Sequence, residues 1–496
     1  MSKLKICYIL STTEGGTWAF EQLRELRDKY HFEVSVVLSG QTGTLVERFN
    51  AESIPVYDAD FGFMNPKDIL YLPGKIIKLV RFLRQMRFDV IQTHLFPSMV
   101  IGRIAGWLAD VPLRFSMIAG PFHLEAETPK WVDKITAWMD TAIIPSCEFT
   151  RQLYLNMGIS EKRLHVIYYG PDEKRFDIAK IFPSNLRQEH NWGKDIPLIG
   201  MVAYFYPKLG SNRWTPPFLH EKAIKGHKDL IHAAQIVLKK FPHAKFLLIG
   251  KGWGEMGEEE MRSMKSLVEQ LGLQESVIFT GHRTDIPSIY RELDISIQAS
   301  LNENLGGTIE ALLMECPTVV TRVGGLVDTV IDGKTGIQVN VADPNDLAKG
   351  ILHLLYDPNK ARLLGMAGRT LMLERFTLST TVRNLNNLYN HYLDGHNKGY
   401  MLIKSCMRFI LIGIMGFFIS LRFFLLDMWL LPRWDVGWRP WRAIIIALKM
   451  RLYRIYALIG RLSARGWIPH PKMLLYRAYA LIGRLSKKIT PGPWKK

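Results

Sequence analysis

Short apolar runs alternate along the chain with stretches whose apolar residues recur every three or four positions. Lys5–Leu10 is a run of the first kind. Thr17–Lys29 is of the second, with Ala19, Leu23 and Leu26 spaced for one helix face. Further runs at Phe32–Leu38, Asp89–Thr93, Arg114–Ile118 and Thr141–Pro145 read as strands. Residues Asp177–Asp195 are polar and loop-like, and then the pattern restarts. Strands are expected at Leu198–Ala203, Lys245–Ile249, Val277–Thr280, Ile295–Gln298, Thr318–Thr321 and Ile337–Val339. Helices Lys228–Lys240, Glu258–Gln270 and Thr308–Met314 lie between them, and Ser379–Leu393 closes the series. Strands alternating with helices predict an α/β fold, with helices on both faces of parallel sheets. Two series predict two doubly wound, Rossmann-like domains facing a cleft, since ligands bind at the carboxyl ends of such strands.

Composition changes this picture at one place. Of 496 residues, 64 are Lys or Arg and 46 are Asp or Glu, a formal charge of +18. Residues 400–496 hold 18 of those bases against two acids, Asp427 and Asp435, and 6 of the 13 Trp. The remaining body is almost neutral, which argues against a nucleic-acid-binding surface. A basic, Trp-rich and Leu/Ile-rich tail has the chemistry of a membrane interface; a basic RNA-binding tail is the alternative reading. Cys7, Cys147, Cys316 and Cys406 are widely scattered, so neither a disulfide framework nor a zinc site is expected, and a reducing cytosol fits. The apolar start, Met1–Leu10, reads as a strand, not as a signal peptide.

The richest stretch for chemistry is Ser300–Gly336, SLNENLGGTIEALLMECPTVVTRVGGLVDTVIDGKTG. Gly306 and Gly307 would let backbone N–H groups approach a phosphate at a helix N-terminus. Glu310, in the first turn of that helix, could accept hydrogen bonds from vicinal ribose hydroxyls; the local alternative is that it favours the helix N-terminus. Gly15 and Gly16 follow the first strand and open a helix, a second place for close backbone approach. His94 ends one strand and His123 follows another, so both are candidates for the cleft mouth and for ordinary structural roles.

The whole string resembles the nucleotide-sugar signature of glycosyltransferase family 4, retaining enzymes of the GT-B fold. The matching parts are Glu310-Ala311, Pro317, Val319-Val320, Arg322-Val323-Gly324-Gly325, Asp332 to Gly336 and Asp343-Pro344. Residues 139–177 resemble the stretch that closes the family's first domain, and Lys225-Gly226-His227 its KGH. The resemblance implies that Glu310 holds the ribose, Lys225 the diphosphate and Glu303 the donor sugar. It implies a donor site of Gly15, Gly16, Lys222, Lys225, Asn302, Glu303, Leu305, Gly306, Gly307 and Glu310, with Glu303, His123 and Lys225 catalytic. It also implies catalysis without a metal or other cofactor. Two departures stand out. Six residues, not seven, separate Glu303 from Glu310, and Asn302 holds the usual acid position, so Asn302 and Glu303 are alternative candidates to face the sugar. Tyr204 stands where the family often has Arg, followed by about fifteen extra residues; Lys208, Arg213 and Lys222 are the candidate replacement cations.

In the tail, Phe409–Leu431 is long enough to span a bilayer. Arg422 within it would cost about 2.5–3.5 kcal/mol, and the 15 bases after it would break the positive-inside rule. A re-entrant or in-plane anchor is therefore preferred over a single span or a helix buried on the body. Lys449–Ser463 and Lys472–Ser486 repeat one another and read as basic amphipathic helices for an anionic leaflet.

The expected organisation is an acceptor domain at 1–185, a donor domain at 195–375, a closing helix at 376–398 and an anchoring tail at 400–496. The expected function is retaining transfer from a UDP- or GDP-sugar to a membrane-borne lipid or lipid-linked saccharide. The expected place is the cytoplasmic face of a membrane. A sugar-nucleotide epimerase or hydrolase, and an inactive membrane-bound scaffold, are the alternatives.

Overall fold

The computed structural model describes residues 4–394. The tail segments Phe409–Leu431, Lys449–Ser463 and Lys472–Ser486 lie outside the described residues. Among the described residues no helix is long and apolar enough to cross a membrane.

Two parallel six-stranded sheets form the body. The first contains β1 (Lys5–Leu10), β2 (Glu33–Leu38), β3 (Val56–Asp58), β4 (Val90–His94), β5 (Leu113–Ile118) and β6 (Ala142–Pro145) in the order β3-β2-β1-β4-β5-β6. The second contains β7 (Leu198–Val202), β8 (Lys245–Ile249), β9 (Val277–Gly281), β10 (Ile295–Gln298), β11 (Thr318–Thr321) and β12 (Ile337–Val339) in the order β12-β11-β10-β7-β8-β9. Each is the 3-2-1-4-5-6 order of a doubly wound fold, whose ligand crevice opens where the strand order reverses. Those switch points fall at β1/β4 and β7/β10. Central strands are buried on both faces, as the uninterrupted apolar runs require; β1 is buried from Ile6 to Leu10.

Among the elements that the alternation does not give, three shape the first sheet's surroundings. β3 is a three-residue edge strand. Helix Pro66–Met86 contains Pro73, followed by Gly74, which reads locally as a break. Helix Phe96–Leu108 is apolar nearly all round because it is buried nearly all round. Its one charge, Arg103, is fully buried and reaches Asp133 at 2.7 Å and Asp140 at 2.8 Å.

The last helix among the described residues, Leu378–Asp394, returns to the first sheet. Leu378, Val382, Leu385, Leu388 and Tyr389 join the core formed by Ile6, Tyr8, Val90 and Phe115. The Tyr389 hydroxyl donates to Gln92 Oε1 at 2.7 Å, and Tyr392 meets His165 at 2.9 Å.

Candidate active site

The loop after β10 supplies the charged centre. Lys225 Nζ lies 2.5 Å from Glu303 Oε2, with the Ser300 hydroxyl donating to the same oxygen at 3.0 Å. The other oxygen, Oε1, accepts the Asn304 backbone N–H at 3.1 Å. Burial opposes the charge on Lys225, but the field of Glu303 and the hydrogen bond to it outweigh that and raise its pKa. The ammonium also stands 5.5 Å from the centre of the Tyr206 ring.

The glycines of the surrounding motifs hold this loop by close approach. A Cβ on Gly324 would lie 1.7 Å from the Glu303 carbonyl oxygen, and its φ is +53°. A Cβ on Gly226 would lie 2.0 Å from the Ala299 carbonyl oxygen, at φ +74°. Only glycine fits either place. The KGH and Arg-x-Gly-Gly segments therefore clamp the backbone that carries Glu303. His227, the last residue of KGH, is a core residue stacked on Phe205 at 3.9 Å; burial and then Lys225 push its pKa down to about 3.

Asn302 does not join Glu303. Its side-chain amide donates to the Glu125 carboxylate, which comes from the short helix Phe122–Glu125 after β5. Asn304 Oδ1 accepts from the Ser146 hydroxyl at 2.8 Å, and Gly120 packs against the Asn304 side chain. The loop after β10 thus touches the ends of β5 and β6, and the two sheets face one another here. Burial, only partly offset by the Asn302 hydrogen bond, pushes the Glu125 carboxyl up to about 7. Glu125 stands two residues after His123 in the sequence. Nothing local marked it.

The other expected residues fall into three groups. Glu310 sits in the first turn of helix Thr308–Leu313. Burial raises its pKa, with Arg175 opposing and Glu21 adding to the shift. Gly15 and Gly16 both take positive φ after β1, and a Cβ on Gly15 would lie 3.8 Å from Trp253. Gly306 and Gly307 pack close to Gln298. The Leu305 side chain is in the core, 2% exposed, leaving its backbone for a ligand. Lys222 is exposed, and its field falls on Asp229. Lys208 acts similarly on Glu260. Neither is paired with Glu303.

His123 and His94 separate. His123 Nε2 meets Asp133 at 3.0 Å, and its ring stacks on Phe96 at 5.1 Å. Asp133 is buried, yet Arg103 and then His123 hold its pKa down to about 2. The buried Arg103–Asp133–Asp140 network therefore fixes the His123 ring through Asp133. His94 does not reach the cleft mouth. It is fully buried against Tyr8 at 4.8 Å, and burial pushes its pKa down to about 3.

At the carboxyl ends of β7, β8 and β9, Tyr204, Tyr206, Trp253 and His282 form an aromatic cluster. The extra residues after Tyr206 carry Trp214, which meets Phe63 edge-on at 6.1 Å; Phe63 meets Phe96 at 5.8 Å. Two cavities, of about 350 and about 670 Å³, open at the carboxyl side of the first sheet and share Asp58, Asp60 and Asp68. Among the described residues no group of three His, Cys, Asp or Glu is placed to hold a metal ion.

Residues 220–371 match the family model "Glycosyl transferases group 1", and residues 15–170 match "Glycosyl transferase 4-like domain". Between them the two models span more than half of the chain. The chain belongs to glycosyltransferase family 4. Its curated relatives include the capsular polysaccharide biosynthesis glycosyltransferase CapM of Staphylococcus aureus, 22% identical over 79% of this chain and 98% of that one. Another is the D-inositol 3-phosphate glycosyltransferase of Corynebacterium urealyticum, 29% identical over 65% of this chain and 76% of that one. Among solved structures, Anabaena Alr3699/HepE in complex with UDP-glucose superposes with a TM-score of 0.62 at 19% identity, over 78% of this chain and 100% of that one. The fold is therefore GT-B, and the two family models fall on its two sheets.

Proposed function

We propose that this glycosyltransferase moves a hexose, with retention and without a metal ion, from a UDP- or GDP-sugar to a membrane-borne lipid or lipid-linked saccharide. The first half, 1–185, would bind the acceptor and the second, 195–375, the donor. The product would be a glycolipid or polysaccharide precursor, in keeping with CapM, a capsular polysaccharide biosynthesis glycosyltransferase. The donor class is supported by the UDP-glucose complex of the Anabaena neighbour. The anchor is the basic tail, 400–496, lying on the cytoplasmic face of a membrane.

The observation that carries this reading is the Lys225–Glu303 pair, clamped between glycine motifs. Breaking a sugar–phosphate bond leaves a nucleoside diphosphate with growing negative charge. A fixed ammonium at that place stabilises the transition state more than the ground state. Displacement of Glu303 from Lys225 by the diphosphate would free its carboxylate for a sugar hydroxyl. Retention follows if the acceptor hydroxyl attacks from the face that the diphosphate leaves, giving up its proton to the departing phosphate.

The test is a panel of UDP- and GDP-sugars, assayed for binding by calorimetry and then for transfer into a membrane lipid extract by mass spectrometry. A heavier lipid product is expected. A changed sugar nucleotide with no heavier acceptor would instead indicate an epimerase or hydrolase. No binding of any donor would indicate a scaffold.

A further inference from the structure

The carboxylate of Glu303 has its acceptor positions occupied by Lys225, the Ser300 hydroxyl and the Asn304 N–H. Facing the same loop from the first sheet stands a second carboxylate in a different condition. Glu125 receives one hydrogen bond, from the Asn302 amide to Oε2. Among the described residues its Oε1 has no hydrogen-bond partner and no cation is paired with it. A half-buried carboxylate held by a neutral amide is destabilised in its ionised form. Such a group contributes little to folding and is poised to accept a hydrogen bond from a ligand that arrives with its own hydroxyls. Its position is held from both sides. His123, two residues earlier, is tied to Asp133, and the Asn302 loop is clamped by Gly324.

We infer that Glu125 and Asn302 together form a sugar-hydroxyl subsite, in which Oε1 of Glu125 accepts from one hydroxyl of the transferred hexose. The subsite rests on the proposed transfer reaction and adds a specificity-determining residue to it. It is assembled from both halves of the protein, so it exists only when the loop after β10 meets the end of β5. A donor lacking the hydroxyl leaves the carboxylate without that hydrogen bond and is discriminated against.

Full-length wild type and Glu125→Gln are compared with the nucleotide hexose that the wild type turns over and with its 3-, 4- and 6-deoxy forms. Glutamine keeps an acceptor for Asn302 and removes the charge. Glu125→Gln should lower kcat/KM about 10- to 100-fold, the range expected for one hydrogen bond to a charged group. One deoxy donor should lose a similar factor with the wild type and nothing further with Glu125→Gln. The free nucleoside diphosphate should bind both proteins equally. Thermal stability above pH 7 should be equal or higher in the variant. A kcat/KM within twofold of wild type, or equal further losses for every deoxy donor, overturns the subsite and leaves the transfer reaction standing. A loss of melting temperature with unchanged kcat/KM would make Glu125 a structural strut. A wild type that turns over no nucleotide sugar overturns both readings.

Discussion

Lys225 Nζ and Glu303 Oε2 stand 2.5 Å apart although 78 positions separate them in sequence. Each shields the other from burial. Removing one member leaves an uncompensated buried charge, which typically costs about 3–5 kcal/mol. Lys225→Ala should therefore be less stable than Lys225→Ala/Glu303→Gln, read as the order of urea midpoints. Both should lose transfer by about 10²–10³-fold, because no cation then faces the leaving diphosphate. Near-normal turnover by either would remove Lys225 from the site.

Gly324 tests the clamp without touching a charged group. At φ +53°, with a Cβ 1.7 Å from the Glu303 carbonyl oxygen, alanine has no place. Gly324→Ala should destabilise by more than the about 1 kcal/mol that separates Gly from Ala in strain-free sites. Its loss of donor affinity should exceed that of Gly74→Ala, where a Cβ meets nothing within 4 Å. Equal behaviour of the two variants in melting and calorimetry would refute the clamp.

Arg103 holds His123 at one remove. It is fully buried between Asp133 and Asp140, and Asp133 in turn binds His123. Arg103→Met should cost about 3–5 kcal/mol by leaving the buried Asp140 carboxylate without its cation and Asp133 with only His123 and Tyr154. Asp133→Asn keeps the packing and should spare the fold more. If His123 acts at the cleft, Asp133→Asn should lower kcat with little change in nucleoside diphosphate affinity.

His94 and His227 give the acid limb of stability a definite sign. Burial pushes each down to about 3, against about 6.5 for a free histidine. Between those values the unfolded chain takes up protons that the folded chain refuses. Stability supplied by the neutral rings is thus full above about pH 6.5 and is lost as pH falls toward 3, by about 1.4 kcal/mol per pH unit for each ring. Relative to His94→Gln, the wild type should lose melting temperature between pH 6.5 and 5. Parallel pH curves for the two proteins would contradict the assignment.

The tail predicts a location. Removal of residues 400–496 should shift the protein from the membrane pellet to the supernatant while leaving binding of nucleoside diphosphate unchanged. A truncated protein that still pellets would place the anchor elsewhere.

Most of the strand pattern was legible because parallel strands buried on both faces are written as apolar runs. Lys245–Ile249, Ile295–Gln298, Thr318–Thr321 and Ile337–Val339 were found with their observed ends. Helix Pro66–Met86 was hidden by its internal Pro73, and β3 by its brevity. The candidate site was legible where glycine spacing forces backbone approach, as at Gly226 and Gly324. That the Leu305 side chain joins the core was not legible, because a motif gives a position in a loop and not the direction of a side chain.

Local sequence by itself determined the two βα series, the nearly neutral body with its basic tail, and the glycine motifs that identify the family. Those properties depend on neighbours a few residues apart. Only the tertiary structure decided which side chains meet: Glu303 with Lys225, Asn302 with Glu125, His123 with Asp133, and His94 with the core instead of the cleft. Such pairings depend on how strands distant in sequence are ordered in each sheet and on how the two sheets face each other. Neither is encoded in the spacing of any one segment.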